Sequence, residues 1–519
     1  MKPVDARGRR GSPVLAMRTD AAPQSLAPWL QRAGGLDDLL TEGGDERIAI
    51  EAPTGLNRYG CAASPQEAAA EFGSSTASVI SPSAHAAVLA LAERLGGYPS
   101  PEAAYATEVQ RIRRRLAELC GLPEAAAGDM VLGASGTDLH LIAAELARGG
   151  EGALTCILPD PAETGRGVAN AVRSLRFADQ SPHGAQACAG EPLDGVTPGR
   201  IIATPLRDAE GLPRSSGAVD TDVERACDAA LKSDGRALLV IVDVSKTGLA
   251  APTAACASRL KQRFGEALTV LVDACQFRIC NQTLGAYLAQ DFLVALTGSK
   301  FVGGPAFSGA LLIPGPSAGR LRLRPLPSAL SDISGREDWP AGYRGREDLA
   351  DLANIGLLLR WEAALHELAA FRALDPQAVA AFVTAFAARI EAALDTSPGL
   401  DRLPVPDLAR APPAQWDQSP TIFPFLVLAE GRPVAPHRLL AIYRRLQCPA
   451  PGDRAAPDAI HLGQPVAVGY RDGQALSALR LSLSARLIVE ALATPEGPER
   501  VVARAIDALA AVEALASAV

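Results

Sequence analysis

The sequence predicts an α/β protein: a large domain built on a mainly parallel, seven-stranded sheet, followed by a smaller C-terminal α+β domain. Three observations predict it. Aliphatic runs such as "ALLVIVDV" and "LTVLVDA" show no polar alternation, the mark of strands buried on both faces. Helical stretches rich in Ala, Leu and Arg separate these runs, which is the rhythm of a parallel sheet. Past residue 371 the order becomes helix, strand, helix, strand, helix, as in a small α+β unit.

Taken along the chain, residues 1–45 read as a flexible extension, with Met17 as an alternative start. Residues 46–128 read as an N-terminal helical segment. The large domain covers 129–346, with strands expected at 130–134, 154–158, 200–206, 237–244, 268–274, 292–298 and 309–314. Helices are expected over Asp138–Arg148 and Asp220–Lys232. Residues 315–347 are rich in Pro, Gly and Arg and predict a long ordered loop. A helix over 347–371 is long enough to bridge two domains, and 372–519 form the small domain, with strands at 421–429 and 478–484.

Composition narrows the function classes. The net charge is -8, with both signs interspersed, which argues against nucleic acid as the main partner. Nine cysteines make no CxxC pair and read as reduced thiols of a cytoplasmic protein. The six histidines show no metal spacing. No apolar run reaches the length of about 18 residues that a membrane helix needs.

Lysine usage is the sharper signal. The chain has five lysines against 45 arginines, and one of them, Lys300, sits in "LTGSKFVGGP". A guanidinium stays protonated at any working pH, whereas an amine with a lowered pKa is a nucleophile. Three other points fall where strands end or lie. "ASGTD" passes from a strand through Ser135, Gly136 and Thr137 into a helix whose first amides suit an anion; plain N-capping is the alternative. Asp273 ends an apolar strand at the edge where open sheets place ligands. Gln276 follows it with a hydrogen-bonding amide. Arg480, inside "ALRLSLS", calls for a carboxylate, either from a substrate or from a structural partner. A phosphate cradle, an acid, an amine and a carboxylate clamp, in that order, are what pyridoxal phosphate requires.

With "ASGTD", "AETGRG", "SKTGLAAP", "VDACQ", "TGSKFVGGP" and "LRLSL" in sequence across roughly 100–485, the chain resembles the fold-type-I pyridoxal-phosphate enzymes. Within them it resembles the class V aminotransferase and cysteine-desulfurase-like group. The resemblance implies that Lys300 is the Schiff-base lysine and Asp273 the partner of the pyridine nitrogen. Gln276 would reach the phenolic oxygen, Ser135, Gly136 and Thr137 the phosphate, with Thr297 and Ser299 adding hydroxyls. Thr164 and Ser245 fall at further cofactor-binding positions, and Arg480 would hold the substrate carboxylate. Two departures stand out: Glu163-Thr164 replaces the usual ring-stacking His, and Lys246 in "SKTG" is a second lysine near the site. Cys448 lies where a desulfurase would place its mobile thiol, and it reads better as a chance cysteine. Asn57, Arg58, Ser74, Ser75 and Thr76 are candidates for lining the site or for loop packing; His461 near the Arg480 strand is another.

The expected function is that of an aminotransferase-like enzyme on a small amino acid. A carbon–sulfur lyase or desulfurase and a decarboxylase are the enzymatic alternatives; a catalytically silent cofactor-binding scaffold is the other. The resemblance also implies a homodimer with the site at its interface, reached by the Arg-rich loop 319–347.

Overall fold

A computed structural model of the chain describes residues 35–517 except 53, 67–69, 151, 409, 411–414 and 450–457. Most of the expected extension, Met17 included, lies outside the described residues, as does the segment after Cys448. The strands are β1 (Ala70–Phe72), β2 (Met130–Gly133), β3 (Thr155–Pro159), β4 (Arg200–Thr204), β5 (Ala237–Val242), β6 (Leu268–Ala274), β7 (Leu293–Thr297) and β8 (Gly309–Leu312). The small domain adds β9 (Leu400–Arg402), β10 (Ile422–Ala429), β11 (Arg432–Pro433), β12 (Ile460–Arg471) and β13 (Gln474–Ser482). The helices used below are α1 (Pro82–Leu95), α2 (Pro101–Leu119), α3 (Gly136–Arg148), α4 (Ser216–Asp234), α5 (Ala254–Phe264), α6 (Ile355–Arg372), α7 (Pro376–Thr396), α8 (Pro436–Gln447) and α9 (Gly497–Ser517).

The large sheet has seven strands in the order β2-β8-β7-β6-β5-β3-β4. Pairing is parallel from β4 through β7, and β8 runs antiparallel to both β7 and β2. All seven expected strands are therefore present. Alternation along β5 explains the continuous apolar run. Ala237, Leu239 and Ile241 join the core on one face, and Leu238, Val240 and Val242 join the core on the other. Neither face meets water, so neither needs polar residues. Helix ends are set by local chemistry. Ser215 and Thr253 cap α4 and α5 through their side chains, and Gly149 and Gly235 end α3 and α4 at φ of 65° and 69°, the left-handed turn that favours glycine.

The small sheet runs β1-β12-β13-β10-β11, with β9 on β10. Its first strand comes from far away in sequence, because β1 pairs in parallel with β12. The N-terminal segment is thus not helical throughout; it hands a strand to the small domain.

Three boundaries differ from the sequence reading. Residues 35–45 fold, with a short helix at Leu36–Leu40 and both Leu39 and Leu40 buried. The bridging helix begins at Ile355 rather than 347, because Asn354 caps it by accepting from the Leu357 amide. Part of the expected loop is helical, over Gly315–Arg322, and three 3-10 turns follow as far as Asp348. α7 is apolar and long enough to cross a membrane by composition. In the fold it instead buries Val379, Phe382, Val383, Phe386, Ile390 and Leu394.

Candidate active site

At the carboxyl edge of the sheet, β2 runs through Ser135 into α3. The Ser135 side chain and the Asp138 carboxylate cap each other's backbone amides. A helix leaves its first four N–H groups without intrahelical partners. Here the Asp138 amide goes to Ser135 Oγ and the Leu139 amide to the Ser135 carbonyl. The amides of Gly136 and Thr137 remain. Gly136 is required by space: a Cβ there would lie 2.7 Å from Cys275 Sγ, so the helix start presses directly on the end of β6. Ser135 itself is spent on Asp138, whose carboxyl burial pushes up to about 7. Arg47, invisible as a site residue in the sequence, reaches the same place, with Nη2 3.5 Å from Ser135 Oγ and a fork onto Asp45.

Asp273 is the penultimate residue of β6. Its Oδ1 accepts from the Cys275 amide at 3.1 Å, and its Oδ2 lies 3.3 Å from His140 Nε2. His140 Nδ1 lies 2.7 Å from the Gly136 carbonyl. A carbonyl only accepts, so Nδ1 carries a proton and Nε2 is the nitrogen turned to the acid. Burial pushes the Asp273 carboxyl up, but the His140 imidazole and the Lys300 ammonium outweigh it and hold the group below the usual carboxylate range. Burial disfavours charge on His140 too, and the carboxylate outweighs that, raising its pKa. The two buried side chains thus favour each other's charged forms. The sequence reading missed His140, although it stands four residues after Gly136, on the same face of α3.

Lys300 follows β7 in a tight loop. The Gly298 amide donates to the Ser308 carbonyl, Gly304 to the Gly298 carbonyl and Gly303 to the Lys300 carbonyl. Added Cβ atoms at Gly298 and Gly304 would lie 2.4 and 2.7 Å from Ala364 Cβ of α6, so glycine lets the loop sit on the helix. The Lys300 ammonium makes no ion pair among the described residues, and its field reaches Asp273, His140 and Lys246. Lys246 is in the turn after β5, where its Nζ donates to the Ala162 carbonyl at 3.2 Å.

Arg480, on β13, is buried and has no carboxylate partner among the described residues. Nη1 donates to the Lys246 carbonyl at 3.1 Å, and Nη2 donates to Thr76 Oγ1 at 3.0 Å and the Gln464 carbonyl at 2.5 Å. Gly463 opposite makes room, since a Cβ there would lie 2.8 Å from Nε. Burial pushes the Arg480 pKa down to about 10. Thr76 thus binds Arg480, while Ser74 and Ser75 hold Arg278 and Ser482. Asn57 is a turn residue, its Oδ1 accepting from the Tyr59 and Cys61 amides, and the Arg58 carbonyl accepts from Gln464. His461 is buried on β12, 4.0 Å from Glu71.

Several expected ligands spend their polar atoms on the protein. The Ser245 hydroxyl donates to Glu163, which also holds Arg207 and Thr247. Gln276 donates to the Ser75 carbonyl at 3.0 Å and accepts from Arg278 at 3.3 Å. Thr164 donates to the Pro161 carbonyl and Thr297 to the Cys275 carbonyl. Ser299 makes a 3.5 Å contact with Thr297. The Gly136 and Thr137 amides and the Lys300 ammonium keep free polar capacity among the described residues, whereas Asp273 and Arg480 are partly engaged by the protein. A cavity of about 570 Å³ lies elsewhere, at Arg336, Gly342, Tyr343, Arg344 and Glu347.

A parallel sheet with this edge, joined to a small domain carrying Arg480, is the α/β architecture known as fold type I. Neither the known families nor the curated proteins include a match to the sequence. Solved structures do match in fold. A NifS-like protein from Rickettsia africae has a TM-score of 0.52 at 13% identity, over 85% of this chain and 98% of that one. The cysteine desulfurase CsdA from Escherichia coli has 0.50 at 16%, over 84% and 94%. The cystine C–S lyase C-DES, in complex with its product cysteine persulfide, has 0.52 at 18%, over 84% and 97%. At these identities the likeness is one of fold.

Proposed function

We propose that the chain is a pyridoxal-phosphate-dependent enzyme acting on an amino acid, and that it cleaves a carbon–sulfur bond rather than exchanging an amino group. The observation that carries the reading is the Lys300 amine, which has no ion pair among the described residues, in the field of Asp273, with the Gly136 and Thr137 amides at the start of the helix that carries His140, the partner of that acid. The residues fit the cofactor at its three anchor points. Gly136 and Thr137 would take the phosphate, Asp273 the ring nitrogen and Lys300 the aldehyde. They fit less well at the phenolic oxygen, because the Gln276 amide is already held on both sides.

When bound, the cofactor supplies an electron sink for charge developing at the substrate's α-carbon. Asp273, kept anionic by His140, holds a proton at the ring nitrogen. Arg480 orients the substrate through its carboxylate, and that charged hold disfavours decarboxylation. Lys300, once its amine is free and neutral, moves the α-proton. The lyase reading is preferred over the aminotransferase one because the structural neighbours named above are a cysteine desulfurase and a cystine lyase. Cys448 is exposed, so a desulfurase variant of the reading makes sulfur transfer depend on it. The second copy of a homodimer belongs to the same proposal; Leu323, in the Arg-rich loop, is 77% exposed, as a contact face would be.

The test is borohydride reduction of the yellow protein, peptide mapping, and product analysis with cysteine and cystine. A label on Lys300, with sulfide or persulfide and pyruvate released and no keto-acid exchange, is expected. A label on Lys246, or a Lys300→Ala variant that still reduces at an imine, overturns the assignment. Amino-group exchange without sulfur release restores the aminotransferase reading.

A further inference from the structure

In a chain carrying eight more acidic than basic groups, cations gather at this site without acids to match. Among the described residues, the buried Arg480, the half-buried Lys246 and Lys300 and the exposed Arg166 make no ion pair. The carboxylate nearest to Lys246, Glu163, is already saturated by Arg207, Ser245 and Thr247. Resting on the reading above, two of the four cations are accounted for: Lys300 by the imine and Arg480 by the α-carboxylate. Lys246 is not.

Its backbone is fixed from both sides. The Lys246 amide donates to the Glu163 carbonyl at 3.1 Å, and its carbonyl accepts from Arg480 Nη1 at 3.1 Å. Residue 246 is therefore locked against the clamp itself. Among the described residues its ammonium donates only to the Ala162 carbonyl, which leaves donors for an anion.

We propose that Lys246 is a specificity residue that binds a second carboxylate, so that the substrate is an amino acid with a carboxylate at its far end as well as at its α-carbon. Arg480 takes one acid and Lys246 the other. For a sulfur substrate, this means that the departing group carries the second carboxylate. The groups facing the Lys246 ammonium are Arg480, Lys300, Glu163 and Arg166. Burial first, then these cations, push its pKa down to about 8. The preference is therefore full below pH 8, where the amine is charged, and fades as pH rises past it.

Calorimetry with simple acids tests this without turnover. Succinate, glutarate, adipate and butyrate are titrated into the full chain loaded with pyridoxal phosphate, wild type beside Lys246→Met and Arg480→Met. One dicarboxylate is expected to bind about tenfold tighter than butyrate at pH 7, one charge pair's worth. In Lys246→Met that ratio falls to near one, and in the wild type it shrinks between pH 7 and 9.5. Equal binding of mono- and dicarboxylates by the wild type, or a ratio that survives Lys246→Met, overturns the inference. Butyrate binding that is lost in Arg480→Met leaves the clamp standing in either case. If no acid binds the wild type, the clamp and the inference fall together.

Discussion

His140 commits one ring nitrogen to the Gly136 carbonyl and turns the other to Asp273, so a single side chain links the start of α3 to the acid at the end of β6. Its charge has a direct consequence for stability. A His whose pKa is raised on folding stabilises the native state fully below its unfolded value, 6.5, and loses that contribution as pH climbs through the folded value. A carboxyl whose pKa is lowered contributes above its unfolded value, 3.8, and loses it only as pH falls through the folded one. The pair is therefore worth most between 3.8 and 6.5. Urea unfolding of wild type and His140→Gln should show the larger difference near pH 5.5 and a smaller one near pH 9. A difference that grows toward high pH would mean that His140 is neutral in the fold.

The loop β7–Lys300–β8 and helix α6 work as one element. Gly298 and Gly304 let the loop lie on Ala364, and Gly304→Ala should cost about 1–3 kcal/mol, the usual cost of overpacking. The urea midpoint reads it, and an unchanged midpoint would show that the contact is slack. Such packing is where the sequence stops being legible. The strands of the large sheet were readable because burial on both faces writes an unbroken apolar run. Lys300 stood out because lysine is scarce, and Asp273 because it lies at the end of such a run; the fold brings both to the same sheet edge. β12 was not, since "IHLGQPVAVGYR" is interrupted by Gly and Pro, and the strand does pair irregularly near Gly463 and Gly469. β1 was not either: three residues carry no periodicity, and their partner is nearly 400 positions away. Ser245 and Gln276 have the right residue types for a cofactor. Only the fold shows that Glu163 and Arg278 already occupy them.

At the scale of the molecule, three parts of the chain meet at Phe301, the residue after Lys300. Phe301 from the lysine loop stacks on Trp416 of the small domain at 5.1 Å and 10°. Phe371, at the end of α6, meets both rings edge-on at 5.3 Å. Arg278 lies over the Phe301 ring at 5.2 Å and reaches across to Thr421 and Leu483. The same ring thus fixes the residue after Lys300 and ties the large domain to the small one, which carries Arg480. Removing it should do two things at once. Phe301→Ala should lower stability by about 3–5 kcal/mol, as for other buried aromatic truncations. It should also uncouple the domains. In the wild type, unfolding followed by tryptophan emission and by far-UV circular dichroism should trace one transition, because neither domain loosens without the other. In Phe301→Ala the emission change, which reports Trp416 among others, should come first. Phe301→Leu keeps most of the volume and should restore a single transition at a lower midpoint. If Phe301→Ala unfolds in one step at the wild-type midpoint, the aromatic junction holds neither the domains nor the amine in place.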